Sequence, residues 1–272
     1  MGDRFFELER DGHVATLWLN RPSKRNAMSP EFWDELPAAM RDLGADDDVR
    51  AVVIAARGPH FTAGLDLKTM GGSLASGGDD ASEASRRRAL LAEIERMQGS
   101  ITAVADCPKP VVAAVQGYCL GGGIDLITAC DVRLCAADAI FGVRETRIAI
   151  VADVGTLQRL PGIVGRGIAY ELCLTGEDFG AERAREIGLV NAVHTDAEGT
   201  LAAAREMAGR IARNSPLAVQ GTKRVMRYCE GKSVEDGLRY VATWNAAFLQ
   251  SDDLKEALGA FLQKREPDFR GR

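Results

Sequence analysis

The sequence predicts an α/β fold: a wound core in which strands feed helices, followed by a helical C-terminal region. Three observations carry this. Two nearly continuous apolar runs, Val49–Ala55 (VRAVVIA) and Val111–Gln116 (VVAAVQ), lack polar alternation and so suit strands buried on both faces, as in parallel sheets. Strand and helix patterns recur in the order β, β, α three times before Pro161, the order of a wound core, although no repeat holds residue by residue. From Pro161 onward helical segments dominate, interrupted by one short strand pattern at Leu189–His194.

In chain order, Phe5–Arg10 and Val14–Asn20 alternate about Asp11-Gly12, a hairpin with two-residue turn chemistry. The basic loop PSKRNA follows, and then Ser29 caps a helix with Pro30 at its first position. Phe32, Trp33, Leu36, Met40 and Leu43 form its apolar face; Pro37 predicts a kink or a late start, because an interior proline costs about 3 kcal/mol. The stretch 71–85, rich in Gly, Ser and Asp, reads as a mobile loop. A helix from Ser82 to Ala105 carries Leu90, Leu91, Ile94, Met97, Ile101 and Val104 on one face. Helix Gly122–Ala129 and short strands Val132–Cys135 and Ile140–Val143 complete the core. Residues 1–195 are expected to be the catalytic core and 196–272 a helical oligomerisation region, whose stripes (Val241, Trp244, Phe248; Leu258, Phe261, Leu262) suit burial against another subunit or folding back on the core.

Composition excludes several functions. A net charge of −5 offers no bulk attraction for nucleic acid or an anionic membrane, and no apolar run reaches the ~18 residues of a span. The N-terminus lacks signal or transit character and the C-terminus is not a peroxisomal address, so a cytoplasmic protein is expected. None of the six cysteines forms C-x-x-C, and most have apolar neighbours, as core-filling thiols do. Only three histidines occur, dispersed at 13, 60 and 194, which disfavours a metal site or a Ser-His-Asp triad. The G-x-S-x-G, Walker and G-x-G-x-x-G motifs are absent.

The stretch Cys107–Gly162 stands out. Gly121-Gly122-Gly123 follow a buried strand and open a helix, where free N–H groups can meet an oxyanion; tight strand–helix packing is the plainer account. A second glycine element, FTAGLD at Phe61–Asp66, also follows a buried strand, so the two junctions can each supply one donor to an oxyanion hole. Three carboxylates lie nearby in apolar surroundings. Asp125 is in the first turn of GGGIDLITAC, where it could serve the helix start. Glu145 ends a strand, and Asp153 in IVADVG could cap the next helix. Together they suggest a shared pocket in which burial and like charge raise carboxylate pKa values, so that one group donates a proton and another accepts it.

FTAGLDLKTM, PKPVVAAVQGYCLGGGIDLITACDVRL, FGVRETRIAI, ADVGTLQRLPGIVG and AREIGLVNAV resemble the enoyl-CoA hydratase/isomerase (crotonase) family, and the likeness extends from NRPSKRNAMS to FLQKREPDF. The resemblance implies a crotonase-like spiral of ββα units with a helical C-terminal trimerisation region. It implies a homo-oligomer, either a trimer or a dimer of trimers, acting on an acyl-CoA substrate with no cofactor, CoA being part of that substrate. Backbone N–H groups of Leu65 and Gly122 would form the oxyanion hole. Ala63, Gly64, Leu65, Asp66 and Leu67 would line the thioester, and Lys24, Arg25 and Ala27 would fall in the CoA-binding loop. Hydratases of the family place glutamates at both the Asp125 and Glu145 positions and a Gly/Ala-rich loop where ADVGT stands. GGGIDLI, VRE and ADVGTLQRLP instead resemble dienoyl-CoA isomerases, which convert 3,5-dienoyl-CoA to 2,4-dienoyl-CoA in fatty-acid β-oxidation. By that likeness Asp153 acts at C2 and Glu145 at C6, with Asp125 setting their charge. An enoyl-CoA hydratase, and a non-catalytic binder of CoA esters or RNA, are the alternatives.

Overall fold

The computed structural model describes residues 4–69 and 82–272; most of the loop expected at 71–85 lies outside them. Strands β1 (Phe6–Asp11) and β2 (Val14–Leu19) form the expected hairpin. Asp11 pairs with Val14, so the turn is Gly12-His13, one residue later than expected, with Gly12 at φ +53°. Helix α1 (Pro30–Ala45) leads to β3 (Ala51–Ala56), and α2 (Glu83–Asp106) leads to β4 (Val111–Val115). Strands β5 (Tyr118–Leu120) and β7 (Ile140–Gly142) flank α3 (Gly122–Thr128) and β6 (Val132–Ala136). Then come α4 (Thr156–Val164), α5 (Arg166–Thr175), β8 (Phe179–Gly180), α6 (Ala181–Glu186) and β9 (Ala192–His194). Helices α7 (Ala197–Ala212), α8 (Pro216–Cys229), α9 (Val234–Phe248) and α10 (Asp252–Gln263) complete the chain.

The main sheet runs β1-β2-β3-β4-β6-β9, parallel except for the hairpin, and a smaller sheet runs β5-β7-β8. Sequence patterning missed β5 and β8, which are two or three residues long. Successive residues of a strand face opposite ways. On β3, Val52, Ile54 and Ala56 join the core with Phe32, Leu36 and Ile101, while Ala51, Val53 and Ala55 meet Ala204, Ala208 and Ala212 of α7. Both faces are covered, which is why the central strands read as unbroken apolar runs.

Helix α1 starts at Pro30 and continues through Pro37, without a late start. Pro37 leaves the Trp33 carbonyl without its helical donor, and the Ser100 hydroxyl on α2 donates to that oxygen at 2.5 Å. The same bond ties α1 to α2. Only Met97, Ile101 and Val104 of the α2 stripe are buried; Leu90 and Leu91 are exposed. A cavity of about 1240 Å³ separates the core from α8 and α9, lined among others by Arg133, Lys223 and Trp244. None of Leu65, Gly122, Glu145 or Asp153 lines it.

Candidate active site

Two strand-to-loop junctions meet beyond the C-terminal ends of β3 and β5. Gly64 has φ +86°, a left-handed backbone. A Cβ there would meet the Leu120 carbonyl oxygen at 2.7 Å and approach the Gly122 nitrogen to 3.6 Å, so the two glycine elements are in contact. Gly122 itself packs on Met28, whose sulfur would lie 2.7 Å from an added Cβ. The plainer packing account of the glycines holds, and that packing brings the two junctions together.

The loop 61–66 is fixed by the loop before α1. Met28 N–H donates to Gly64 O at 2.8 Å, Asp66 N–H to Met28 O at 3.0 Å, and Ala63 N–H to Arg25 O at 3.0 Å. The Thr62 hydroxyl donates to Asn26 O at 2.7 Å. Asn26 is buried; its amide donates to Arg57 O at 3.0 Å and His60 O at 2.8 Å, and its Oδ1 accepts from Arg21 N–H at 2.7 Å. Arg25 and Asn26 both hold φ 52°, a strain of about 1–3 kcal/mol each that these bonds offset. Sequence reasoning passed over Asn26. The available signal was its tolerance of left-handed backbone in a loop next to a glycine-rich one.

Lys24 and Arg25 are exposed and Ala27 is half-buried, at the rim of this arrangement. Asp66 is buried, and its carboxylate serves the loop. It pairs with Arg21 at 2.7 Å and accepts from the N–H groups of Lys68 and Thr69 at 3.2 and 3.3 Å. Burial would raise its pKa, but Arg21 and Thr69 outweigh that and hold it below the usual carboxylate range. Ala63 and Leu65 are half-buried, Gly64 is buried and Leu67 exposed. Among the described residues, the N–H groups of Leu65 and Gly122 donate to no acceptor, although the neighbouring amides of Ala63, Asp66, Gly121 and Ile124 all do. Gly122 opens α3, where first-turn amides lack an internal partner.

Glu145 reaches Gly121, next to the Gly122 amide, Asp125 stands on the helix that Gly122 opens, and Asp153 lies in the segment just before α4. Asp125 is fully buried on α3; its Oδ1 accepts the Thr156 N–H at 2.5 Å, and its Oδ2 is buried without a partner. It thus serves the start of α4 rather than of its own helix. Burial pushes its pKa to about 6, against the opposing effect of Thr156. Glu145 opens a 3-10 turn, Glu145–Ile148, that is pinned by Arg144 Nε to Asp178 at 2.7 Å and by the Thr146 hydroxyl to Cys173 O at 3.2 Å. Its Oε1 would lie 3.3 Å from a Cβ on Gly121, and its Oε2 is buried and unpaired. Burial, then the Asp125 charge, push its pKa to about 7. Asp153 is half-buried and raised by burial. It does not cap α4; Gly155 holds that position. The Asp125 charge raises the pKa of Glu145, and the Asp153 charge raises those of both Asp125 and Glu145, so the three acids feel one another's field in part. Among the described residues no group of three His, Cys, Asp or Glu could hold a metal ion.

The chain belongs to the enoyl-CoA hydratase/isomerase family, whose model matches residues 9–272. The Δ(3,5)-Δ(2,4)-dienoyl-CoA isomerase of Arabidopsis thaliana, a peroxisomal protein, is 46% identical over 95% of this chain and 93% of its own. The mitochondrial Δ(3,5)-Δ(2,4)-dienoyl-CoA isomerase of Dictyostelium discoideum is 41% identical over 98% of this chain and 92% of its own. Among solved structures, an enoyl-CoA hydratase from Bacillus anthracis superposes with a TM-score of 0.89 at 31% identity, covering 98% of this chain and all of that one. The expected crotonase-like fold and the resemblance to dienoyl-CoA isomerases within the family both hold. The expectation of a cytoplasmic protein does not. Its relatives are named as peroxisomal and mitochondrial proteins, and the composition of a folded domain carries no record of an address that a receptor reads from a few residues.

Proposed function

We propose that the protein is an isomerase of acyl-CoA thioesters that converts 3,5-dienoyl-CoA to 2,4-dienoyl-CoA in fatty-acid β-oxidation. One observation supports it most: among the described residues the Leu65 and Gly122 amides donate to no acceptor, and Asp125 and Glu145, near Gly122, each carry a buried oxygen with no partner. The hydratase fold is the same, so the acids must decide the reaction.

The thioester carbonyl sits between the two amides, which stabilise the charge that develops when a C2 proton leaves; each such donor is worth about 2.7–4 kcal/mol. Asp153 takes that proton. The electron pair spreads through the diene to C6, where Glu145, whose pKa near 7 keeps it substantially protonated at neutral pH, delivers a proton. Asp153 leaves the step protonated and Glu145 ionised, so a proton exchanges with solvent before the next turnover. Asp125 biases both by its charge. CoA is held along Lys24, Arg25 and Ala27, with Ala63 to Leu67 beside the thioester and Asp66 acting through Arg21. No cofactor beyond the CoA of the substrate enters this scheme. The division into a catalytic core, 1–195, and an oligomerisation region, 196–272, belongs to the same reading, with α7 packed on the core sheet. A homotrimer or dimer of trimers is supported by the exposed Phe261 and Leu262, 81% and 80% accessible, and by Leu238 and Leu258.

Ultraviolet spectra with two thioesters test the reaction. Growth of conjugated dienoyl absorbance from a 3,5-diene is the expected result. Bleaching of a conjugated enoyl thioester instead would mark a hydratase. No change with either, despite tight CoA-ester binding, would mark a binder.

A further inference from the structure

The loop that carries Asp153 has few fasteners of its own. Asp153 and Val154 precede Gly155, at φ +131°, so no helix or strand holds them. Helix α2 supplies what is missing. Gln98 Nε2 donates to the Asp153 carbonyl oxygen at 2.7 Å. One turn further along, the Thr102 hydroxyl accepts from Arg159 at 3.1 Å, and the same guanidinium reaches the Val154 carbonyl at 3.5 Å. A Cβ on Gly155 would overlap the tip of that guanidinium, so a side chain there would displace Arg159 from its present position, and the φ favours glycine independently. Residues 98 and 102 share one helix face by their spacing. That face is anchored from behind, since Ser100 bonds to α1 and Ile101 is fully buried.

We infer that Gln98, with Thr102 and Arg159, is a positioning brace: two points on α2 hold consecutive carbonyls of the Asp153 loop and so fix the carboxylate against the substrate's C2. None of the three touches the reacting atoms. The inference rests on the assignment of Asp153 as the C2 base. A group held in place by such contacts loses rate when it drifts by about 1 Å, on the order of a hundredfold at most, with little effect on substrate binding.

Gln98→Met keeps the length of the side chain and removes the donor. Because Gln98 is exposed, the variant is expected to fold with an unchanged Tm. The brace predicts a kcat lower by about tenfold or more, an unchanged KM, and a matching slowing of C2 proton exchange into deuterated solvent. Gln98→Lys, which restores a donor, should recover most of the rate. Combined with Asp153→Asn, Gln98→Met should add no further loss. Thr102→Val is expected to act in the same direction and more weakly. If kcat is unchanged in Gln98→Met while Asp153→Asn is inactive, the brace is overturned and the catalytic assignment stands. Full activity in Asp153→Asn overturns the assignment and the brace with it.

Discussion

Buried carboxylates in two parts of this chain are treated in opposite ways. Asp253, where α10 meets the C-terminal tail, has both oxygens occupied. Oδ2 accepts from the Ser215 hydroxyl at 2.6 Å, Oδ1 from Arg270 N–H at 2.8 Å, and both from Gly271 N–H at 3.1 Å. The more exposed Asp131 is also bound, its Oδ2 accepting from Lys223 and from Val111 N–H, each at 2.7 Å. In the acidic pocket Asp125 has one donor and one bare buried oxygen, and Glu145 has a bare oxygen too. A satisfied carboxylate is a fastener. An unsatisfied one costs stability, and it persists where a proton must be held and released.

The contrast can be broken most forcefully at Asp153. Asp153→Asn should lower isomerisation by about 10²–10⁴-fold with little change in thioester binding by calorimetry; wild-type rates would remove the pocket's catalytic role. Next in size is Gly64→Ala. The left-handed backbone and the Leu120 oxygen at 2.7 Å force the loop to shift, displacing the Leu65 amide, and steady-state kinetics should show about 10²-fold lower kcat. Leu65→Ala should change kcat little, because the amide acts and the side chain does not. On the fastener side, Asp253→Ala removes the buried acceptor that ties Ser215 and the Arg270 and Gly271 amides together. It should cost about 2–3 kcal/mol in denaturant unfolding while the folded fraction keeps its specific activity.

The smallest effect carries a sign that separates the two classes. Glu145 binds its proton up to about pH 7 when folded and only to about 4.5 when unfolded. The folded chain therefore holds more protons between those values, and stability falls as pH rises through that window. The stabilisation is fully present below about pH 4.5 and lost above 7. Glu145→Gln, which cannot ionise, should be more stable than the parent at pH 8 by on the order of 1–3 kcal/mol, with the gap closing toward pH 4.5. Asp253→Ala should show no such gain at any pH.

Much of this was visible in the sequence because it has local causes. The apolar runs at β3 and β4 announce strands covered on both faces, and FTAGLD and GGG mark the two junctions that the structure brings into contact. What stayed hidden depends on partners far along the chain. The Ser100 hydroxyl that rescues the Trp33 carbonyl behind Pro37 comes from another helix. Asn26 gains its role from Arg57 and His60. Asp125 looked like an acid for its own helix and instead receives the first amide of α4, 31 residues later. Asp66 looked like a pocket residue, yet it is occupied by Arg21. Strands β5 and β8 are too short for periodicity to register.

The central claim is that protons leave and arrive at opposite ends of one delocalised enolate. Converting a 3,5-dienoyl thioester in deuterated water and locating the label by NMR tests it directly. The account predicts a 2,4-dienoyl product with deuterium at C6, formed about 10²–10⁴-fold more slowly by Asp153→Asn. A hydroxyl at C3, or label confined to C4, would contradict it.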